Sequence, residues 1–239
     1  MLKKIASRFP AGWQQELKRH YYAWQLRRGK FRTAEKEFEL LDSLVQPGDW
    51  VIDVGANIGH YTAKLSQLVG PGGRVLAFEP VPKTFRLLAA NSCHFPYENV
   101  SFLNAAVSER AMAGDITVPD GLNGTYLAHL TKGETGLQVL CLSLDSLQLP
   151  HRVSLVKIDA EGHELEVLKG MEELLRHDRP TLIVELGSGK PVEYLQHRGY
   201  HLVKLPGSPN GIFRLSVGQD SSLVAQIAGQ YWNRISNEA

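Results

Sequence analysis

Cysteine is scarce in this 239-residue chain, with Cys93 and Cys141 the only two. They stand 48 positions apart, with no CxxC pair and no histidine-rich spacing beside them. That excludes a disulfide framework and a cysteine-based zinc site, and leaves two buried free thiols as the expectation. No apolar run approaches the ~20 residues that a membrane-spanning helix needs. The opening Met1-Leu-Lys-Lys-Ile-Ala-Ser lacks the apolar centre of a signal peptide. A soluble, cytoplasmic protein is the expectation. Internal repeats and low-complexity stretches are also missing. With 43% hydrophobic residues, the chain is suited to one α/β-sized core plus an extension.

Net charge is nearly absent too, at +1, but the balance is uneven along the chain. Residues 1–32 hold nine Lys or Arg against one acid, Glu16, so they carry +8 and the remaining 207 residues carry −7. Within this basic head Trp13, Leu17, Tyr21 and Trp24 recur at helical spacing, with Lys18, Arg19, Arg27 and Arg28 between them. Residues 1–32 are therefore expected to form an amphipathic helical extension to a domain spanning 33–239. The preferred reading has the helix pack its aromatic stripe on that domain and solvate its charges. The alternative is peripheral contact with an anionic membrane or a phosphate-bearing substrate.

After Thr33, read as an N-cap, a second helix places Phe38, Leu41, Leu44 and Val45 on one side and stops at Pro47-Gly48. The chain then alternates between short β-branched runs and helical periods. Strands are expected at 50–54, 74–78, 99–103, 153–158 and 181–184, with helices over 60–68, 82–92 and 163–176. This alternation predicts a parallel sheet with helices on both faces. Segments 200–205 and 212–217, separated by Pro-Gly-Ser-Pro-Asn-Gly, fit a closing antiparallel pair.

Open sheets of this kind bind ligands beyond the C-terminal ends of their strands, and there the informative residues collect. Val51-Ile-Asp-Val-Gly-Ala-Asn-Ile-Gly59 reads as a buried strand running into a turn. Gly55 and Gly59 allow the backbone to bend sharply and approach a ligand closely. Glu79 ends the second strand 24 residues after Gly55, where a carboxylate can accept hydrogen bonds from both hydroxyls of a ribose. The third glycine of a G-x-G-x-x-G dinucleotide fingerprint is missing. The compressed turn, preceded by Asp53, favours a nucleoside cofactor without phosphates, whose amino-acid end needs polar partners.

Three blocks carry a family resemblance: Val51 to Gly59, Ala77-Phe-Glu-Pro80, and Val156-Lys-Ile-Asp-Ala-Glu-Gly-His-Glu-Leu-Glu-Val-Leu-Lys-Gly170. With Leu144-Asp-Ser-Leu147 and Val184-Glu-Leu186 in the same order, the stretch from about 37 to 205 resembles the FkbM family of S-adenosylmethionine-dependent methyltransferases. The resemblance implies a Rossmann-like class I methyltransferase fold, with a mostly parallel seven-stranded sheet and helices on both faces. It also implies O-methylation of a sugar, glycan or secondary-metabolite hydroxyl. Carried over by position, it puts S-adenosylmethionine near Asp53, Gly55, Asn57, Gly59 and Glu79, with Asn104 or the Ala105 amide beside the adenine.

A hydroxyl acceptor needs a group to orient it or take its proton. Asp159 is the first candidate and His163 the second, an imidazole titrating near neutrality; Glu161 belongs to the same loop. Glu164 is read as complementing a helix N-terminus, and Lys157 as pairing with Asp159. Tyr126, in a glycine-rich segment over 114–136, and Glu185 are candidate acceptor contacts. Asp159, Glu161, His163 and Glu185 are hard metal ligands, yet no spacing fixes a ligand set, so no metal is assigned. Two other readings stand beside the methyltransferase: an NAD-dependent oxidoreductase, and a nucleoside-binding partner protein without catalysis. Nucleic acid is disfavoured as substrate, because no Asn/Asp-Pro-Pro-aromatic tetrapeptide occurs to hold a flipped base.

Overall fold

The computed structural model describes residues 11–118, 129–131 and 136–215. Its centre is a seven-stranded sheet built from short runs of Val, Ile and Leu that are buried on both faces, as parallel strands require. Strands β1 (Trp50–Val54), β2 (Arg74–Phe78) and β3 (Val100–Leu103) lie to one side. Strands β8 (Val153–Ile158), β9 (Thr181–Glu185), β10 (Tyr200–Lys204) and β11 (Asn210–Leu215) lie to the other. The order is β10-β11-β9-β8-β1-β2-β3, with β11 alone running antiparallel. The chain leaves β1 toward β2 in one direction and returns to its other side at β8, so β1 is the switch point where this sheet leaves a crevice.

Alternation along each strand separates two cores. Val51, Val75, Leu155, Ile183 and Ile212 face helices α2 (Lys36–Leu44) and α3 (His60–Val69). Ile52, Leu76, Val156 and Leu182 face the opposite side. There they meet Val167 and Leu168 of α5 (Glu164–Lys169), Leu174 and Leu175 of α6 (Glu172–His177), and Leu195 of α7 (Lys190–Gln196). Helix α4 (Pro82–Ser92) sets Leu88 against Ala56 and Ala77. A second sheet, β4-β7-β5-β6, combines β4 (Ala106–Val107), β5 (Met112–Thr117), β6 (His129–Thr131) and β7 (Leu137–Leu142). In the sequence only the runs 116–118 and 138–142 look strand-like here, because β4 is two small-to-medium residues long and has no pattern of its own.

Four expectations need correction. Of the two thiols expected to be buried, Cys141 is, but Cys93 follows the last turn of α4 and is exposed. The helix expected over 163–176 is two helices, broken at Gly170-Met171. A Cβ on Gly170 would run into the Ser108 carbonyl oxygen, so the glycine serves a backbone crossing within an apolar helical period. The second piece is capped from afar, with the Asp145 carboxylate accepting from the amides of Glu173 (3.0 Å) and Leu174 (3.1 Å). The N-cap of α2 is Glu35, not Thr33, whose hydroxyl instead accepts from the Glu35 amide at 3.3 Å. Finally, α1 (Ala11–Arg27) does form in the basic head, but its aromatic stripe does not pack on the described residues of the domain. Tyr22 and Leu26, on the other side of the helix, do so against Phe31, Ile58 and Leu87.

Candidate functional site

At the C-terminal ends of β1, β2 and β8 lies an open cleft. Its floor is fixed by main chain. The amides of Gly55 and Ala56 both donate to the Phe78 carbonyl, at 3.0 and 2.8 Å, and the Asp159 amide donates to Val54 O at 3.1 Å. Gly55 has φ +74° and Gly59 has φ +97°, the left-handed region that suits glycine. Their missing side chains make room for protein. A Cβ on Gly55 would meet the Asp159 carbonyl, and one on Gly59 would press on Leu88 and Phe95. The close approach expected toward a ligand is thus, in this structure, an approach of β1 to the chain leaving β8.

Seven of the residues singled out from sequence line this cleft together: Gly55, Asn57, Glu79, Ala105, Asp159, Glu161 and His163. Pro80, Val81, Ala106 and Ile116 add apolar surface. Glu79 is 5% exposed, and its two oxygens accept separately from the amides of Asn57 (3.0 Å) and Val81 (2.9 Å). Burial pushes its carboxyl up to about 7, against the opposing pull of those amides and Lys157. Asn57 holds φ +52° and its buried Oδ1 has no hydrogen-bond partner among the described residues. Such an oxygen is costly unless a ligand satisfies it.

Four of the singled-out residues lie off the cleft lining. Asp53 is fully buried beneath it, accepting from the Thr62 hydroxyl at 2.6 Å; burial raises its carboxyl above the ordinary range despite Lys157. Gly59 starts α3. Asn104 turns its amide nitrogen to the Glu79 and Pro80 carbonyls, at 2.8 and 3.0 Å, and so clamps the loop that presents Glu79. Glu185 ends β9 beside Asp159; burial first, then the charges of Asp159, Glu161 and Glu164, push it up to about 7. Tyr126 lies outside the described residues.

The opposite wall is organised by charge. Lys157, 3% exposed, reaches Asp159 Oδ2 at 2.9 Å and sits 5.1 Å from the Tyr61 ring centroid. Burial by itself lowers its ammonium, but Asp159 and Asp53 outweigh that and hold it above its ordinary range. Glu164 is buried and accepts from the amides of Ala160 (3.1 Å) and Gly162 (2.9 Å). It therefore stitches the Asp159 loop, in which Glu161 adopts φ +50°, rather than merely facing a helix dipole. Sequence reasoning missed Ser108, whose Oγ lies 2.9 Å from His163 Nε2. No local signal marks it, since a serine after a two-residue strand is placed here only by the second sheet. Among the described residues, no three or more metal-ligating side chains converge.

Comparison with known proteins matches residues 53–202 to the model of the Methyltransferase FkbM domain. The chain is 33% identical to the hexuronic acid methyltransferase AglP of Haloferax volcanii, over 70% of this chain and 66% of that one. It is 28% identical to the 31-O-demethyl-FK506 methyltransferase FkbM of Streptomyces tacrolimicus, over 54% of this chain and 62% of that one. The match therefore spans less than two thirds of either relative's length. A crystal structure of methyltransferase FkbM from Methylobacillus flagellatus superposes with a TM-score of 0.51 at 15% identity, covering 74% of this chain and 50% of that one. That likeness bears on the fold.

Proposed function

The chain belongs to the FkbM methyltransferase family, and on that premise we propose that it carries a methyl group from S-adenosylmethionine to a hydroxyl of a sugar or glycan-like acceptor. The observation that carries the proposal is the meeting in one cleft of an amide-fixed carboxylate, Glu79, with a side-chain-fixed one, Asp159. The residues present suit the cofactor. Glu79 offers two acceptor oxygens for ribose hydroxyls, Pro80, Val81 and Ile116 offer apolar contact for a base, and the orphaned Asn57 Oδ1 offers an acceptor to the amino-acid end. When bound, the cofactor supplies an electrophilic methyl carbon.

The protein's remaining work is to orient the acceptor and take its proton. Asp159 is held in place by Lys157 while its carboxylate remains 31% exposed toward the cleft, so it can accept the hydrogen bond of an incoming hydroxyl. The proton passes to Asp159 and is shared with Glu185, whose elevated value near neutrality suits a transient proton carrier. His163 is the secondary group, since its Nε2 is already engaged by Ser108.

The hexuronic acid named for the AglP relative makes hexuronic acid glycosides the first acceptors to try. Calorimetry with S-adenosylmethionine, its demethylated product and NAD, on wild type and Glu79→Ala, tests the cofactor; sulfonium binding that weakens in the variant is expected. Tight NAD binding without sulfonium binding would overturn the proposal. Transfer of a labelled methyl group to the glycosides tests the acceptor, and label recovered only on nitrogen or on a carboxylate would count against a hydroxyl.

A further inference from the structure

On α1 the apolar side chains occupy two opposite faces, and the domain covers one of them. Tyr22 and Leu26 pack against Phe31, Ile58 and Leu87, and Gln15 Nε2 donates to the Lys83 carbonyl of α4 at 3.4 Å. At 100° per residue, Trp13, Leu17, Tyr21 and Trp24 fall within an arc of about 80° on the other face. There they remain 66%, 44%, 54% and 47% exposed. The two tryptophans lie ~16 Å apart along the axis, so a flat surface touching both must lie parallel to the helix. Arg27, Arg28 and Lys30 are exposed at its end, with the Arg28 guanidinium and the Lys30 ammonium 5.9 and 6.0 Å from the Trp24 ring centroid.

We propose that this face of α1 docks on an anionic phospholipid surface, with its tryptophans at the headgroup boundary and its basic residues against lipid phosphates. Indole and phenol rings favour that boundary, and exposed Arg and Lys beside them add electrostatic attraction. The complementary partner must be negative, because residues 1–32 carry +8. A second copy of the helix in a two-fold pair would bring like charges together. The segment 216–239, with Asp220 and Glu238 against Arg234, offers only −1. Docking needs neither cofactor nor acceptor, so it stands or falls independently of the reaction proposed above.

The test is vesicle flotation of the full chain with phosphatidylcholine alone and with phosphatidylcholine containing a minority of phosphatidylglycerol. Wild type is expected to float with the anionic vesicles only, and less so as salt is raised. Arg27→Gln/Arg28→Gln should weaken partitioning on the order of 30-fold, at roughly 1 kcal/mol per basic residue. Trp13→Ser/Trp24→Ser should weaken it by roughly tenfold or more. All four side chains are exposed, so both variants should melt like wild type, which separates lost docking from lost fold. Failure of wild type to float with anionic vesicles overturns the proposal, as does flotation that both variants retain in full. So does a concentration-dependent dimer abolished by Trp13→Ser/Trp24→Ser, which would give the face to a second copy. Retention on RNA without vesicle binding would give it to a polyanion.

Discussion

Glu79 and Asp159 follow the two strands that flank β1, yet one is held by main-chain amides and the other by side chains. On the Glu79 wall, position is a property of the turn: wherever the Asn57 and Val81 amides go, the carboxylate follows. On the Asp159 wall, position depends on a buried ammonium, a neighbouring carboxyl and a loop stitched by Glu164. Geometry organises one wall and charge organises the other. Damage to the first should therefore appear in binding, and damage to the second in turnover.

The most severe way to break this contrast is to damage both walls through their shared contact. Gly55→Ala puts a methyl group into the Asp159 carbonyl at a φ of +74°, and should destabilise the fold by about 3 kcal/mol or more. In a thermal melt that is a fall of roughly 6–12 °C. Asp159→Asn comes next. It should lower kcat by about 10²–10⁴ while calorimetry finds cofactor binding retained; equal losses in both would erase the distinction between the walls.

Glu79→Ala should do the reverse, weakening cofactor affinity by about 10–100-fold, the range for a hydrogen bond to a charged group, with little loss of kcat at saturation. Its pH dependence sharpens the point. With the free carboxyl pushed up to about 7, and the carboxylate the form that accepts from two hydroxyls, ligand binding must release a proton below that value. Affinity should therefore rise as pH increases through about 7 and level off above it, with a rise of about tenfold per pH unit on the acid side. Calorimetry in buffers of different ionisation enthalpy would count the proton released. A flat profile would mean that Glu79 is already ionised in the free protein. Ser108→Ala should have the smallest effect, about two- to fivefold on kcat, through loss of one hydrogen bond to the His163 ring.

The same contrast explains what the sequence made legible. The Gly55–Gly59 turn, Glu79 and the strands leading to them are local, since glycine, β-branching and spacing each leave a mark in the order of residues. Asp159 was legible as a residue, but its surroundings were not. Lys157 was anticipated as its partner, whereas Glu185 came without its link to Asp159, and Ser108 was not anticipated at all. They reach the site through pairings between β8 and β9 and between β4 and β7. The α1 stripe failed for a related reason: helical periodicity shows that a face exists, but not which of two apolar faces the domain will cover. Gly170 was hidden because a glycine in an amphipathic run looks like a tolerated defect until its crossing partner, Ser108, is known.

The contact between Gly55 and the Asp159 carbonyl joins points 104 residues apart along the chain. Closing so long a loop costs more chain entropy than the nearer β1–β2 pairing, so β8 is expected to dock after β1 and β2 have paired. Until β8 docks beside β1, half of the cleft does not exist, and a ligand finds only one wall to hold. The stabilisation that a ligand confers should then fall on the unfolding rate and leave the folding rate nearly untouched. In a cell, the bound protein would gain lifetime without gaining speed of assembly.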